Sequence, residues 1–113
     1  MSFFFVWLKN KIWTRGAMSF YKRGMRKARK QDHMGAIDDY TAAINMPKAA
    51  PAVKAMAQYN RALAHLAAKD IPKAVKDLSL ILAMKATLTN IKSMARQKLI
   101  RLEGSTTSRV AKH

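Results

Sequence analysis

The side chains best suited to acid–base or metal chemistry are three histidines and six carboxylates, and the sequence scatters them. His33 and His65 stand alone and His113 ends the chain. Asp38 and Asp39 are adjacent, so on a helix they diverge and do not face one another. There is no His-x3-His pair, no nucleophile elbow and no glycine-rich phosphate loop. The absence of cysteine removes disulfides, thiolate metal sites and thiol nucleophiles. These polar residues read as surface or capping groups. The chain is therefore expected to be non-enzymatic, with no cofactor and no metal.

Binding chemistry has more to work with. The chain carries 22 Lys+Arg against 6 Asp+Glu, a formal charge of +16. Such an excess draws a chain to nucleic acid, to anionic lipid or to an acidic protein. The stretch YKRGMRKARK concentrates it in Lys22, Arg23, Arg26, Lys27, Arg29 and Lys30. On a helix Lys22, Arg26, Arg29 and Lys30 share one face, and Arg23 and Lys27 widen it. No acid lies within the stretch, so it reads either as a solvated basic face or as a stripe for phosphates, headgroups or an acidic peptide. It lacks interleaved aromatics for base stacking, which argues against sequence-specific reading of RNA.

A second binding element precedes it. Phe3, Phe4, Phe5, Trp7, Leu8, Ile12 and Trp13 are interspersed with Lys9, Lys11 and Arg15. Aromatics beside cations suit a helix that docks on protein, in this chain or another, and they also suit a membrane interface. The apolar run is far shorter than the ~18 residues of a membrane span, and no positive charge precedes it as in a secretory signal. An intracellular, cytoplasmic chain is expected, with peripheral membrane association as the alternative.

The elements that position these groups follow from a repeat. Segments 17–46 and 55–84 match at an offset of 38 residues, pairing Ala17 with Ala55, Met18 with Met56, Tyr21 with Tyr59, Arg23 with Arg61, Asp32 with Asp70, Asp39 with Asp77 and Met46 with Met84. Helical periodicity runs over 17–31. Ala36, Ile37, Tyr40, Ala43 and Ile44 then form one apolar stripe, repeated by Ala74, Val75, Leu78, Ile81 and Leu82. Asp32 and Asp70 are N-cap candidates, Pro47 ends the second helix, and Pro51 and Pro72 suit first turns. A further helix, about 88–103, carries Ile91, Met94, Ala95, Leu99 and Leu102 on one face, with Gly104 as its expected stop. Residues 104–113 have no apolar period and read as a flexible tail.

The repeat resembles the tetratricopeptide repeat, a helix–turn–helix unit with the pattern W-x2-L-G-x2-Y…A-x3-F…P. Phe20, Arg23, Gly24 and Lys27 stand at its first four places in one copy; Gln58, Arg61, Ala62 and His65 do so in the other. Ala36 and Tyr40, then Ala74 and Leu78, match A-x3-F. The departures are Arg23 and Arg61 for Leu, Lys27 for Tyr and Gln58 for Trp. The resemblance implies an all-α, tetratricopeptide-like α-solenoid of two repeats plus a C-terminal capping helix, spanning 17–103, with 1–16 as a separate aromatic and basic segment. It further implies a protein-binding adaptor or assembly factor, with Met18, Tyr21, Met25, Met56, Tyr59, Asn60 and Leu63 lining a partner groove. Tyr21 and Met25 stand where the family's carboxylate clamp wants Lys and Asn, so that clamp is not expected. The expected partner is an acidic protein; the alternative is electrostatic docking to RNA, a ribonucleoprotein or an anionic membrane. Two repeats leave an apolar flank on the N-terminal side, to be covered by residues 3–13 or by another chain, including a second copy.

Overall fold

The structure, a computed structural model, describes residues 2–85 and 89–111, with side chains for 16–85 and 89–104. Five helices follow in order: α1 Ser2–Arg29, α2 His33–Asn45, α3 Pro51–Ala67, α4 Ile71–Ala83 and α5 Thr89–Ala111. No strand occurs among the described residues. Consecutive helices pack together, and short turns join α1 through α4. Each odd-numbered helix also touches the next odd-numbered one, α1 on α3 and α3 on α5.

The turns repeat as faithfully as the sequence. Gln31 and Lys69, 38 residues apart, both adopt left-handed backbone, at φ 63° and 64°. Asp32 N–H donates to Lys27 O at 2.9 Å and Gln31 N–H to Ala28 O at 3.0 Å; Asp70 and Lys69 repeat both bonds to His65 O and Leu66 O. This double closure satisfies carbonyls that the end of a helix leaves open. The same turns start the next helix, because the Asp32 carboxylate accepts from Gly35 N–H and the Asp70 carboxylate from Lys73 N–H. Pro51 and Pro72 occupy first-turn positions, where their missing N–H costs nothing.

Two apolar clusters build the core. One joins Tyr21, Ala36, Tyr40, Ala43, Ala57 and Ala64; the other joins Ala62, Ala74, Leu78, Ile81 and Ala95. Tyr40 and Leu78, repeat equivalents, are both fully enclosed. Each faces a small residue of the preceding helix, and the two pairs share the space differently. Tyr40 lies so close to Gly24 that a Cβ there would come 2.6 Å from its Cε1. Its counterpart Leu78 is smaller and packs in a cluster with Ala62.

Two helix boundaries differ from expectation. The segment 1–16 is not separate, since α1 runs unbroken from Ser2 to Arg29. Gly16 is buried against the Met46 side chain at the end of α2. The first half of this 28-residue helix therefore projects beyond its 13-residue neighbour. Likewise α5 passes through Gly104 to Ala111, which replaces the expected stop and most of the expected flexible tail. A single glycine inside a helix costs only about 1 kcal/mol relative to alanine, and neither Gly16 nor Gly104 takes left-handed backbone. Among the described residues no helix is long and apolar enough to cross a membrane.

Candidate interaction surface

The 38-residue period sets where candidate groups stand. α2 begins at His33 and α4 at Ile71; they end at Asn45 and Ala83; α3 begins at Pro51 and α5 at Thr89. Every one of these intervals is 38. α5 is thus placed as the first helix of a third unit. It covers α4 with Ile91, Ala95 and Leu102, the counterparts of Val53, Ala57 and Ala64, with which α3 covers α2.

This register puts Met18, Met56 and Met94 at one level on three successive odd-numbered helices. All three are exposed, at 42%, 37% and 46%. Tyr59, Leu63 and Met25 are half-buried nearby in sequence on the same helices. Of the expected groove residues, Met18, Met25, Met56, Tyr59, Asn60 and Leu63 are therefore at least partly accessible. Tyr21 is not. Its ring lies 6.0 Å from that of Tyr40, and its hydroxyl accepts from Asn60 Nδ2 at 2.9 Å, so it is a core residue that ties α1 to α3. Burial, reinforced by the neighbouring Tyr21, pushes the Tyr40 phenol up to about 12, so both rings serve packing. The unforeseen member is Met94, whose helix does not resemble α1 or α3 in sequence.

The basic stripe divides into two parts. Arg23 Nη2 lies 3.3 Å from Asp39 Oδ1, and Lys27 Nζ lies 2.9 Å from Asp39 Oδ2, the latter without hydrogen-bond alignment. Asp39 is buried, so its expected place on the surface is corrected: it meets cations of the facing helix. Arg23 also stacks over Phe20 at 5.4 Å. These two cations are committed to the fold. Lys22, Arg26, Arg29 and Lys30 are exposed, and no ion pair to a carboxylate involves them among the described residues.

The second unit repeats the arrangement in a tighter form. Asp77 Oδ1 accepts from Arg61 Nη2 at 2.6 Å and from Gln58 Nε2 at 3.1 Å, and Oδ2 accepts from Arg61 Nε at 2.8 Å. Arg61 Nη1 donates to Thr41 Oγ1 at 3.0 Å, so the guanidinium links α2, α3 and α4. His65, the counterpart of Lys27, lies 3.7 Å from Asp77 Oδ2. Burial lowers its pKa below 6.5, outweighing the opposite pull of Asp77. The departures of Arg23, Arg61 and Gln58 from the family pattern thus serve buried aspartates. The recurrence of Arg23 as Arg61 and of Asp39 as Asp77 was the available signal.

The flanks complete the surface. On α5 Arg96, Gln97 and Glu103 are exposed, together with the apolar Met94 and Ile100. On α1 the positions equivalent to Ala57, Asn60 and Ala64 are Ser19, Lys22 and Arg26, all exposed. The N-terminal flank is therefore charged where an apolar flank was expected. A lysine and an arginine at stacking positions oppose burial under another helix, because an unpaired charge is costly to desolvate. The side chains of Phe3, Phe4, Phe5, Trp7, Leu8, Ile12 and Trp13 lie outside the described residues. No set of metal-binding side chains occurs among the described residues.

Comparison of the chain with protein-family models, with curated proteins and with solved structures returned no match.

Proposed function

We propose that this chain is a non-enzymatic interaction module of the tetratricopeptide type, which holds a segment of another protein on the face formed by α1, α3 and α5. The observation that carries this reading is the exposed row Met18, Met56 and Met94 at one register of three packed helices. Methionine is flexible and polarisable, so such a row adapts to the side chains of a bound segment. Half-buried Tyr59 and Leu63 supply firmer contact area beside it. The tetratricopeptide reading is supported by the 38-residue recurrence of helix boundaries, by the contacts between successive odd-numbered helices and by the small residues opposite Tyr40 and Leu78. The surplus of cations steers an acidic partner toward the module.

The test is selection of peptides from a displayed library on the intact chain, followed by surface plasmon resonance with the selected peptide. Met56→Ala and Leu63→Ala should speed dissociation, each by about 5- to 30-fold, as for loss of a contact worth roughly 1–2 kcal/mol. Replacing Lys22, Arg26, Arg29 and Lys30 by Gln should mainly slow association. Folded groove variants that bind normally, with a charge variant that does not bind, would replace this reading by electrostatic docking.

A further inference from the structure

We propose that α1 is also a membrane-surface helix, which lays its exposed cations on an anionic lipid bilayer and commits its projecting aromatic half to the interface. This goes beyond the partner groove: it gives the exposed cations of α1, and the aromatic half of the same helix, a second role.

Three observations converge on one helix. First, α1 is continuous over Ser2–Arg29, so the aromatic segment and the basic stripe belong to one rod rather than to two elements. At 1.5 Å per residue it is about 42 Å long. Gly16 packs against Met46 at the end of α2, so the helix runs on past the end of its neighbour. Second, the cations in the packed half are sorted. Arg23 and Lys27 pair with the buried Asp39 while still reaching solvent, whereas Lys22, Arg26, Arg29 and Lys30 are exposed and free of carboxylates among the described residues. Third, these cations occupy the outer flank. Arg26 and Lys22 stand where α3 carries Ala64 and Asn60, on the side that no other helix of the described structure covers.

Charge complementarity selects an anionic surface for this flank. Of the six acids, Asp39 and Asp77 are buried in ion pairs, and Asp32 and Asp70 cap helices. That leaves Asp38 and Glu103 to offset the exposed cations. A long, extended row of basic groups suits the plane of lipid headgroups, where each Lys or Arg strengthens attachment. The continuation of the same helix carries Phe3, Phe4, Phe5, Trp7 and Trp13, residue types that settle at the boundary of headgroups and acyl chains. A nucleic acid would satisfy the cations but would give this aromatic half of the rod no apolar medium.

The chain provides its own probe, because its two tryptophans, Trp7 and Trp13, both lie in the projecting half. The experiment adds phosphatidylcholine vesicles, with or without phosphatidylserine, to the full-length chain and follows tryptophan emission and flotation. The expected result is a blue shift and flotation with the anionic vesicles, both reduced by added salt. The variant K22Q/R26Q/R29Q/K30Q should keep its helical circular dichroism and lose binding, at about fivefold per charge or roughly 600-fold in all. Replacing Trp7 and Trp13 by Ser should weaken flotation without abolishing its salt dependence. The proposal is overturned if anionic vesicles cause neither shift nor flotation. It is also overturned if the charge variant floats as well as the unaltered chain. Single-stranded RNA that binds in a stripe-dependent way, with no vesicle binding, would assign the flank to nucleic acid instead.

Discussion

Exchanging the Gly24–Tyr40 pair for the small–large pair of the second unit tests whether the two units are one structure built twice. Tyr40 is 2% exposed, and a Cβ on Gly24 would lie 2.6 Å from its Cε1, 2.7 Å from Cδ1 and 3.1 Å from Cζ. Comfortable carbon contacts are about 3.5–4.0 Å, so Gly24→Ala requires a movement of about 1 Å by a ring with no free space around it. Overpacking of this kind costs about 1–3 kcal/mol, offset by about 1 kcal/mol from the better helix propensity of alanine. Tyr40→Leu alone removes ring and hydroxyl and leaves a gap beside Gly24, at a cost of about 1.5–3 kcal/mol. Together the substitutions recreate the Ala62 and Leu78 arrangement, in which both residues are 0% exposed. The double variant should then lie within about 1 kcal/mol of the unaltered protein, a coupling of about 2 kcal/mol. Urea unfolding followed by circular dichroism measures each corner of the cycle, with a constant slope as the check on two-state behaviour. Single effects that add within about 0.5 kcal/mol would refute the equivalence of the two pairs.

Further outcomes concern the polar core and the turns. Asp77→Ala should cost about 2–4 kcal/mol in urea unfolding, since it strips a largely enclosed, fork-bonded Arg61, and Asp39→Ala should cost clearly less because Arg23 and Lys27 reach water more freely; equal costs would contradict the geometry. His65 has a folded pKa below its unfolded value of 6.5, so the unfolded chain takes up the proton first and stability should fall as pH drops from about 6.5 toward the folded value. His65→Gln should flatten that part of a stability–pH profile, and a profile unchanged by the substitution would remove His65 as its source. Gln31→Gly and Lys69→Gly should each raise stability by up to about 1 kcal/mol in thermal melts, because both positions hold left-handed backbone that costs an L-residue about that much; a loss at both would contradict the turn geometry.

Much of the fold was legible because it is local and periodic. The aspartate caps, the proline-started helices and the apolar stripes of α2 and α4 each depend on residues within a turn or two of one another. The buried aspartates were not legible in the same way. Asp39 and Asp77 sit beside apolar stripes in sequence, and their partners lie 16 residues upstream on the facing helix. Only the joint recurrence of Arg23 with Arg61 and Asp39 with Asp77 hinted at the pairing. The helix end expected at Gly104 misled for a simpler reason: a lone glycine weakens a helix without ending it. Met94 joined the candidate surface through geometry alone, since α5 keeps the register of α3 while sharing little of its sequence. The stripe was found as a run of charge, but the facing helix decided which of its members pair with a carboxylate.

The claim that the odd-numbered helices hold a partner segment is tested most directly by methionine-methyl NMR. The chain has eight methionines, so the spectrum is simple to assign by single substitution. Met18, Met56 and Met94 occupy the row, whereas Met34, exposed at 66%, lies on α2 and serves as an internal control. Titration with a peptide selected on the intact chain should shift the methyl resonances of Met18, Met56 and Met94 together, along one saturation curve, while that of Met34 stays in place. A peptide that binds at the same affinity and moves Met34, or none of the three row methyls, would contradict the account.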